Sequence, residues 1–190
     1  MKVVLGVSNK HVHLTKEVYK KLFGNLPLEN IKDLRQPGQF ASNRFVTLKN
    51  GEKEIKHVRI IGPFRKYNQV EISKTDSYTL KLNPPVRDSG DLEGSEPITL
   101  IGDEGEVHLD KGCIIANRHI HITPDEVIKY GFQNTKTVKI KINGEKGGIL
   151  NNVHLKVNEK STFELHLDSD DGNAFDVKTG DEVEIIERDE

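Results

Sequence analysis

Cysteine is nearly absent. Cys113 is the only one among 190 residues, so no intramolecular disulfide can form, and the chain suits a reducing compartment. Long apolar runs are missing as well. The opening Met1-Lys2-Val3-Val4-Leu5 is too short for a signal peptide or a membrane span, and the cytoplasm is the expected location. There is little excess of charge: the formal net charge of -2 predicts no strong pull toward nucleic acid or membrane. Neither a Walker A loop nor a Gly-x-Gly-x-x-Gly fingerprint occurs, which argues against the familiar nucleotide-binding folds. With 31% charged and 34% hydrophobic residues the chain reads as an ordinary globular protein of one large or two small domains.

What is present is a repeat. Gly6-Val7-Ser8-Asn9-Lys10-His11-Val12-His13-Leu14-Thr15 returns as Ile114-Ile115-Ala116-Asn117-Arg118-His119-Ile120-His121-Ile122-Thr123, with Asn, a cation, His-x-His, an aliphatic residue and Thr in the same order. Four of the chain's eight histidines fall into these two units. In a strand, residues i and i+2 share a face, so each unit aims two imidazoles at one point. A divalent transition metal fits that geometry, with zinc as the first expectation.

A helix signal follows each unit. Thr123-Pro124-Asp125-Glu126 combines a capping Thr, a Pro at the first helical position and a Glu three residues after the cap, and Gly131 ends the helix. The first copy is similar: Thr15 caps a helix expected over 16–23, stopped by Gly24. Alternation puts Val70 and Ile72 on one strand face and Gln69, Glu71 and Ser73 on the other. Leu165 and Leu167 likewise oppose Glu164, His166 and Asp168. Aligning these segments makes Glu71 the twin of His166, and Asp76 that of Asp171.

Further strands are expected at 45–48, 98–101, 106–109, 137–142, 153–157 and 182–186, and a long loop at 83–97. Turn signals such as Asn50-Gly51 and Asn143-Gly144 separate several of them. Many short strands and only two brief helices predict a mainly β fold. The expected architecture is two small β-barrels related by the pseudo-repeat, each with a short capping helix and with a dinuclear metal site between them.

The metal constellation comprises His11, His13, Glu71, His119, His121 and His166. Its histidine content favours zinc over magnesium or calcium, which prefer oxygen ligands. His57, His108 and His154 lie outside the repeat and read as surface or strand residues, and Cys113 as a buried inert thiol. A cupin barrel also uses His-x-His, Glu and His, but its Glu follows within a few residues, whereas Glu71 lies far along the chain from His13. Arg65, in Gly62-Pro63-Phe64-Arg65, could hold a tetrahedral oxyanion by paired hydrogen bonds or could be an exposed turn residue. Arg35, Arg87 and Arg118 are weaker candidates of the same kind.

Several segments together resemble the PduL-type phosphotransacylases, or phosphate propanoyltransferases. The N-terminal ones are Gly6-Val-Ser-Asn-Lys-His-Val-His-Leu14, Asp33-Leu-Arg-Gln-Pro-Gly-Gln-Phe40, Val58-Arg-Ile-Ile-Gly-Pro-Phe-Arg65 and Gln69-Val-Glu-Ile-Ser73. Pro85-Val-Arg-Asp-Ser-Gly90, Ala116-Asn-Arg-His-Ile-His121 and Glu164-Leu-His-Leu-Asp168 follow in order, so the resemblance spans essentially the whole chain. It implies two β-barrels around a dinuclear zinc site, two Zn2+ per chain, and the reaction acyl-CoA + phosphate ⇌ acyl phosphate + CoA. The six repeat residues become the ligands, Arg65 the catalytic, phosphate-binding arginine, and Ser89 a coenzyme A contact. It also implies that the N-terminal strand packs into the second barrel, which places the domains at 9–116 and at 117–190 completed by 1–8. A homodimer is the expected assembly.

Two departures stand out. Lys10 occupies a position where family members often carry Arg, and only five residues precede Gly6, too few for the amphipathic extension of microcompartment members. Two other classes stay open on the residues alone. One is a zinc-dependent thioesterase or phosphoesterase with water as nucleophile. The other is a non-catalytic zinc-stabilised scaffold, against which the three-plus-three split argues, since structural sites want four ligands per zinc.

Overall fold

The computed structural model describes residues 1–189; Glu190, the last residue of the expected second domain, lies outside the described residues. The first half of the chain forms β1 (Lys2–Ser8), β2 (His11–His13), α1 (Lys16–Phe23), β3 (Asn30–Asp33), β4 (Phe40–Asn50), β5 (Lys53–Gly62), β6 (Gln69–Glu71) and α2 (Lys74–Leu80). Then follow β7 (Val86–Arg87), β8 (Glu96–Ile101), β9 (Glu106–Ala116), β10 (His119–Ile122) and α3 (Pro124–Tyr130). The chain ends with β11 (Thr137–Ile142), β12 (Gly148–Val157), β13 (Glu164–Asp168), α4 (Ser169–Phe175) and β14 (Glu182–Asp189). It divides into two compact units, Asn9–Ala116 and Met1–Ser8 with Asn117–Glu190.

In the unit Asn9–Ala116 the strands run β4-β5-β2-β6-β9, and β8 pairs with both β9 and β4, closing a six-stranded barrel. β3 extends it beside β4 and β7 beside β9. Every second residue points inward, so Val12, Val46, Leu48, Val58, Ile60, Val70, Ile98 and Leu100 form its core. Helix α1 closes one side by burying Val18, Tyr19, Leu22 and Phe23.

The other unit is a closed barrel in the order β1-β13-β10-β12-β11-β14. Leu5, Ile120, Ile122, Val138, Ile140, Val153 and Leu165 fill it. Its wiring repeats that of the first. β1 runs parallel to β13 and antiparallel to β14, as β9 runs parallel to β6 and antiparallel to β8. The apolar strand that leads into each His-x-His pair therefore belongs to the opposite unit from that pair.

Four helices are present among the described residues, where capping signals had predicted two. The two extra ones, α2 and α4, lack an apolar stripe, and α4 contains Gly172, so periodicity gives no warning of them. Their caps explain them. Ser73 and Asp76 form a reciprocal capping box, and Asp168 accepts from the Asp171 amide. The expected loop at 83–97 holds only the two-residue β7 before β8 begins at Glu96.

Candidate metal centres

Strand alternation and register assemble one triad in each barrel. In the first, β2 lies antiparallel to β6 with His11 opposite Glu71 and His13 opposite Gln69. In the second, β10 lies antiparallel to β13 with His119 opposite His166 and His121 opposite Glu164. Within His11, His13 and Glu71, and again within His119, His121 and His166, the candidate ligand atoms lie within 4.8 Å of one another.

The donor chemistry fits zinc. Two ligand atoms on one tetrahedral zinc at about 2.0–2.1 Å lie about 3.3–3.4 Å apart. His119 Nε2 and His121 Nε2 are separated by 3.2 Å, and His11 Nε2 and Glu71 Oε2 by 3.5 Å. His13 Nε2 lies 4.0 Å from Glu71 Oε1. Backbone carbonyls hold three of the rings from behind. Nδ1 of His11 meets the Asn9 carbonyl at 2.8 Å, Nδ1 of His13 that of Ile61 at 3.2 Å, and Nδ1 of His119 that of Asn117 at 2.7 Å. A carbonyl accepts only from N–H, which leaves Nε2 with its lone pair directed at the triad. Burial pushes the His13 imidazolium well below its ordinary pKa, and the nearby His11 and Arg65 charges lower it further. His13 is therefore neutral at pH 7, the form a metal needs.

The linkers in front of the triads are pinned alike. Lys10 pairs with Asp76 at 2.9 Å, while Arg118 forks onto both oxygens of Asp171 at 2.7 Å. Arg118 is thus committed to the fold. Arg87 bonds the Glu93 carbonyl, and Arg35 lies in the turn after β3. Arg65 sits half-buried in the loop between β5 and β6; its amide donates to the Leu14 carbonyl and its Nη1 to Tyr67 Oη at 3.2 Å.

Gln69 was not singled out from sequence, yet it organises the first triad. Fully buried, its Nε2 donates to Glu71 Oε1 at 2.6 Å and to Ser89 Oγ at 2.9 Å, while its Oε1 accepts from the Gly90 amide. Ser89 is thereby tied to the triad through one amide. The i, i+2 pattern Gln69-x-Glu71 and its echo Glu164-x-His166 carried the signal. Cys113 lies buried in β9 with its thiol pushed up to about 12 by burial, and His57 and His108 are exposed strand residues. His154 stands opposite His119 in β12 but is not part of the triad.

The comparisons with known proteins agree on one family. The sequence model of phosphate propanoyltransferase matches residues 4–178. The chain is 45% identical over 187 residues to the phosphate propanoyltransferase of Thermotoga maritima, covering 97% of this chain and 89% of that one. It is 40% identical to the protein of that name from Rhodopseudomonas palustris, covering 98% of this chain and 83% of the relative. With that of Priestia megaterium it shares 44% identity over 94% of this chain and 83% of the relative. The two-barrel chain is an acyltransferase. It belongs to the phosphate propanoyltransferase family.

Proposed function

We propose that the protein interconverts a short-chain acyl-CoA plus phosphate with acyl phosphate plus CoA at a dinuclear zinc centre. His11, His13 and Glu71 would hold one ion, and His119, His121 and His166 the other. The observation that carries this reading is a triad of metal-ligating geometry in each barrel, with the Arg65 guanidinium close enough to the first to lower the His13 pKa. Three protein ligands per zinc leave a coordination position for substrate, which a saturated structural site would not. Bound there, zinc would supply a seat for the thiolate leaving group and Lewis-acid stabilisation of developing negative charge.

The chain's own residues do the rest. Arg65 would grip phosphate with its planar fork and hold an oxygen against the thioester carbonyl, which makes the attack effectively unimolecular. The same guanidinium would stabilise the tetrahedral oxyanion. Gln69 would keep Glu71 and Ser89 in register, and Ser89 would contact coenzyme A. Among the described residues no helix is long and apolar enough to cross a membrane. The single, buried cysteine supports a reducing, cytoplasmic setting.

Release of CoA thiol from acetyl-CoA and propanoyl-CoA, with and without phosphate, tests the reading. The expected result is phosphate-dependent release, abolished by a chelator and restored by zinc, with the rates ranking the two acyl groups. Release indifferent to phosphate would replace the transferase with a hydrolase.

A further inference from the structure

The two barrels share one plan, and they depart from it in a correlated way beside the second triad. Register equates Gln69 with Glu164, since they face His13 and His121 respectively. It also equates Ile114, opposite Glu71, with Gly6, opposite His166. Where the first barrel has an amide and an isoleucine, the second has a carboxylate and a glycine. Glu164 is only 3% exposed, and a buried carboxylate is harder to accommodate than an amide of the same shape. Its Oε2 lies 2.9 Å from Nε2 of His166. A Cβ on Gly6 would come within 3.2 Å of both Glu164 Oε1 and His166 Cδ2. Gly6 is absent from the positive-φ glycines, so it provides space for this pair rather than a turn.

We propose that Glu164 is a positioning residue for the second metal site. Its carboxylate accepts from the Nε2–H of His166, fixes the ring and leaves Nδ1 as the metal-facing nitrogen. The inference rests on the zinc reading of that triad. The Cδ2–Nε2 edge of the ring faces Gly6 and Glu164, so the metal-binding lone pair belongs to the other nitrogen. This reverses the arrangement at His11, His13 and His119, whose Nδ1 atoms meet carbonyls. It also balances charge: each site acquires one carboxylate, coordinated in the first barrel and standing behind a ligand in the second.

Zinc affinity, read by competition with a chromophoric chelator, tests this apart from turnover. The wild type should bind two ions. Glu164→Ala should weaken one of them about 10–100-fold and spare the other, and Glu164→Gln, which keeps an acceptor, should fall between. Metal-free Glu164→Gln should melt no lower than wild type while gaining less from zinc, an outcome that a purely structural carboxylate would reverse. Gly6→Ala should weaken the same ion by crowding the pair, which covers the case of an Ala variant that does not fold. Long-range 1H–15N correlation on the zinc-loaded protein should show His166 protonated at Nε2. Two ions bound at wild-type affinity by Glu164→Ala, or His166 coordinated through Nε2, would overturn the inference and leave the zinc reading of the triads standing. A wild type that takes up no zinc would sink both.

Discussion

Set side by side, the barrels agree in wiring and differ in what they place on it. The same parallel and antiparallel registers present Glu71 and Gln69 in one, His166 and Glu164 in the other. Leu5 in β1 corresponds to Cys113 in β9, both fully buried, and Lys10 corresponds to Arg118. The capping helices differ most: α1 buries four side chains, α3 none. The ladder bonds backbone groups that every residue carries, so single positions can specialise while the apolar inward face of each barrel keeps the register. The first triad has its carboxylate, Glu71, as a member; the second has Glu164 two residues before His166 on the same strand.

The sharpest way to break the comparison is to remove one triad at a time. His119→Ala and His11→Ala should each lose one zinc ion and lower turnover beyond the roughly 10²–10³-fold that losing one charge-stabilising group costs. Metal stoichiometry and kcat measured together check this, and a variant keeping both ions would strike that residue from the ligands. Arg65→Ala should lose about 10²–10³-fold in kcat with both ions retained. Near-wild-type turnover would end the phosphate role.

Core twins sharpen it next. Leu5→Ala should cost about 2–5 kcal/mol in denaturant unfolding, from lost burial plus cavity. Cys113→Ala should cost less, because a thiol is smaller and leaves less space. With its thiol pushed up to about 12, native Cys113 should resist a thiol reagent at pH 8 and react only on unfolding.

Smaller still is a pH effect confined to the first barrel. Burial holds His13 below its ordinary 6.5, so the unfolded chain takes up that proton first as pH falls. The stability that His13 contributes is complete above about pH 6.5 and declines below it, which melting of the metal-free protein across pH 5–8 would show. Least of all, Lys10→Arg should copy the Arg118 fork onto Asp76 and shift stability by less than about 1 kcal/mol.

Local periodicity made much of this molecule legible from sequence alone. His-x-His points two imidazoles one way because strand side chains repeat every two residues, and α1 and α3 were visible through Thr15, Thr123, Gly24 and Gly131. Helices α2 and α4 were not, since their caps stand at or just past the ends of the triad strands β6 and β13 and no apolar stripe follows. The mainly β, two-barrel class could be read from many short alternating segments. Barrel closure, which joins β8 to β4 and β14 to β1, comes from pairing between segments far apart in the chain. Only that register sets Gln69 between Glu71 and Ser89, and brings Gly6 from the N-terminus beside His166 and Glu164. A two-residue period acts along one strand and is written in consecutive letters, whereas register between strands is a balance over the whole barrel.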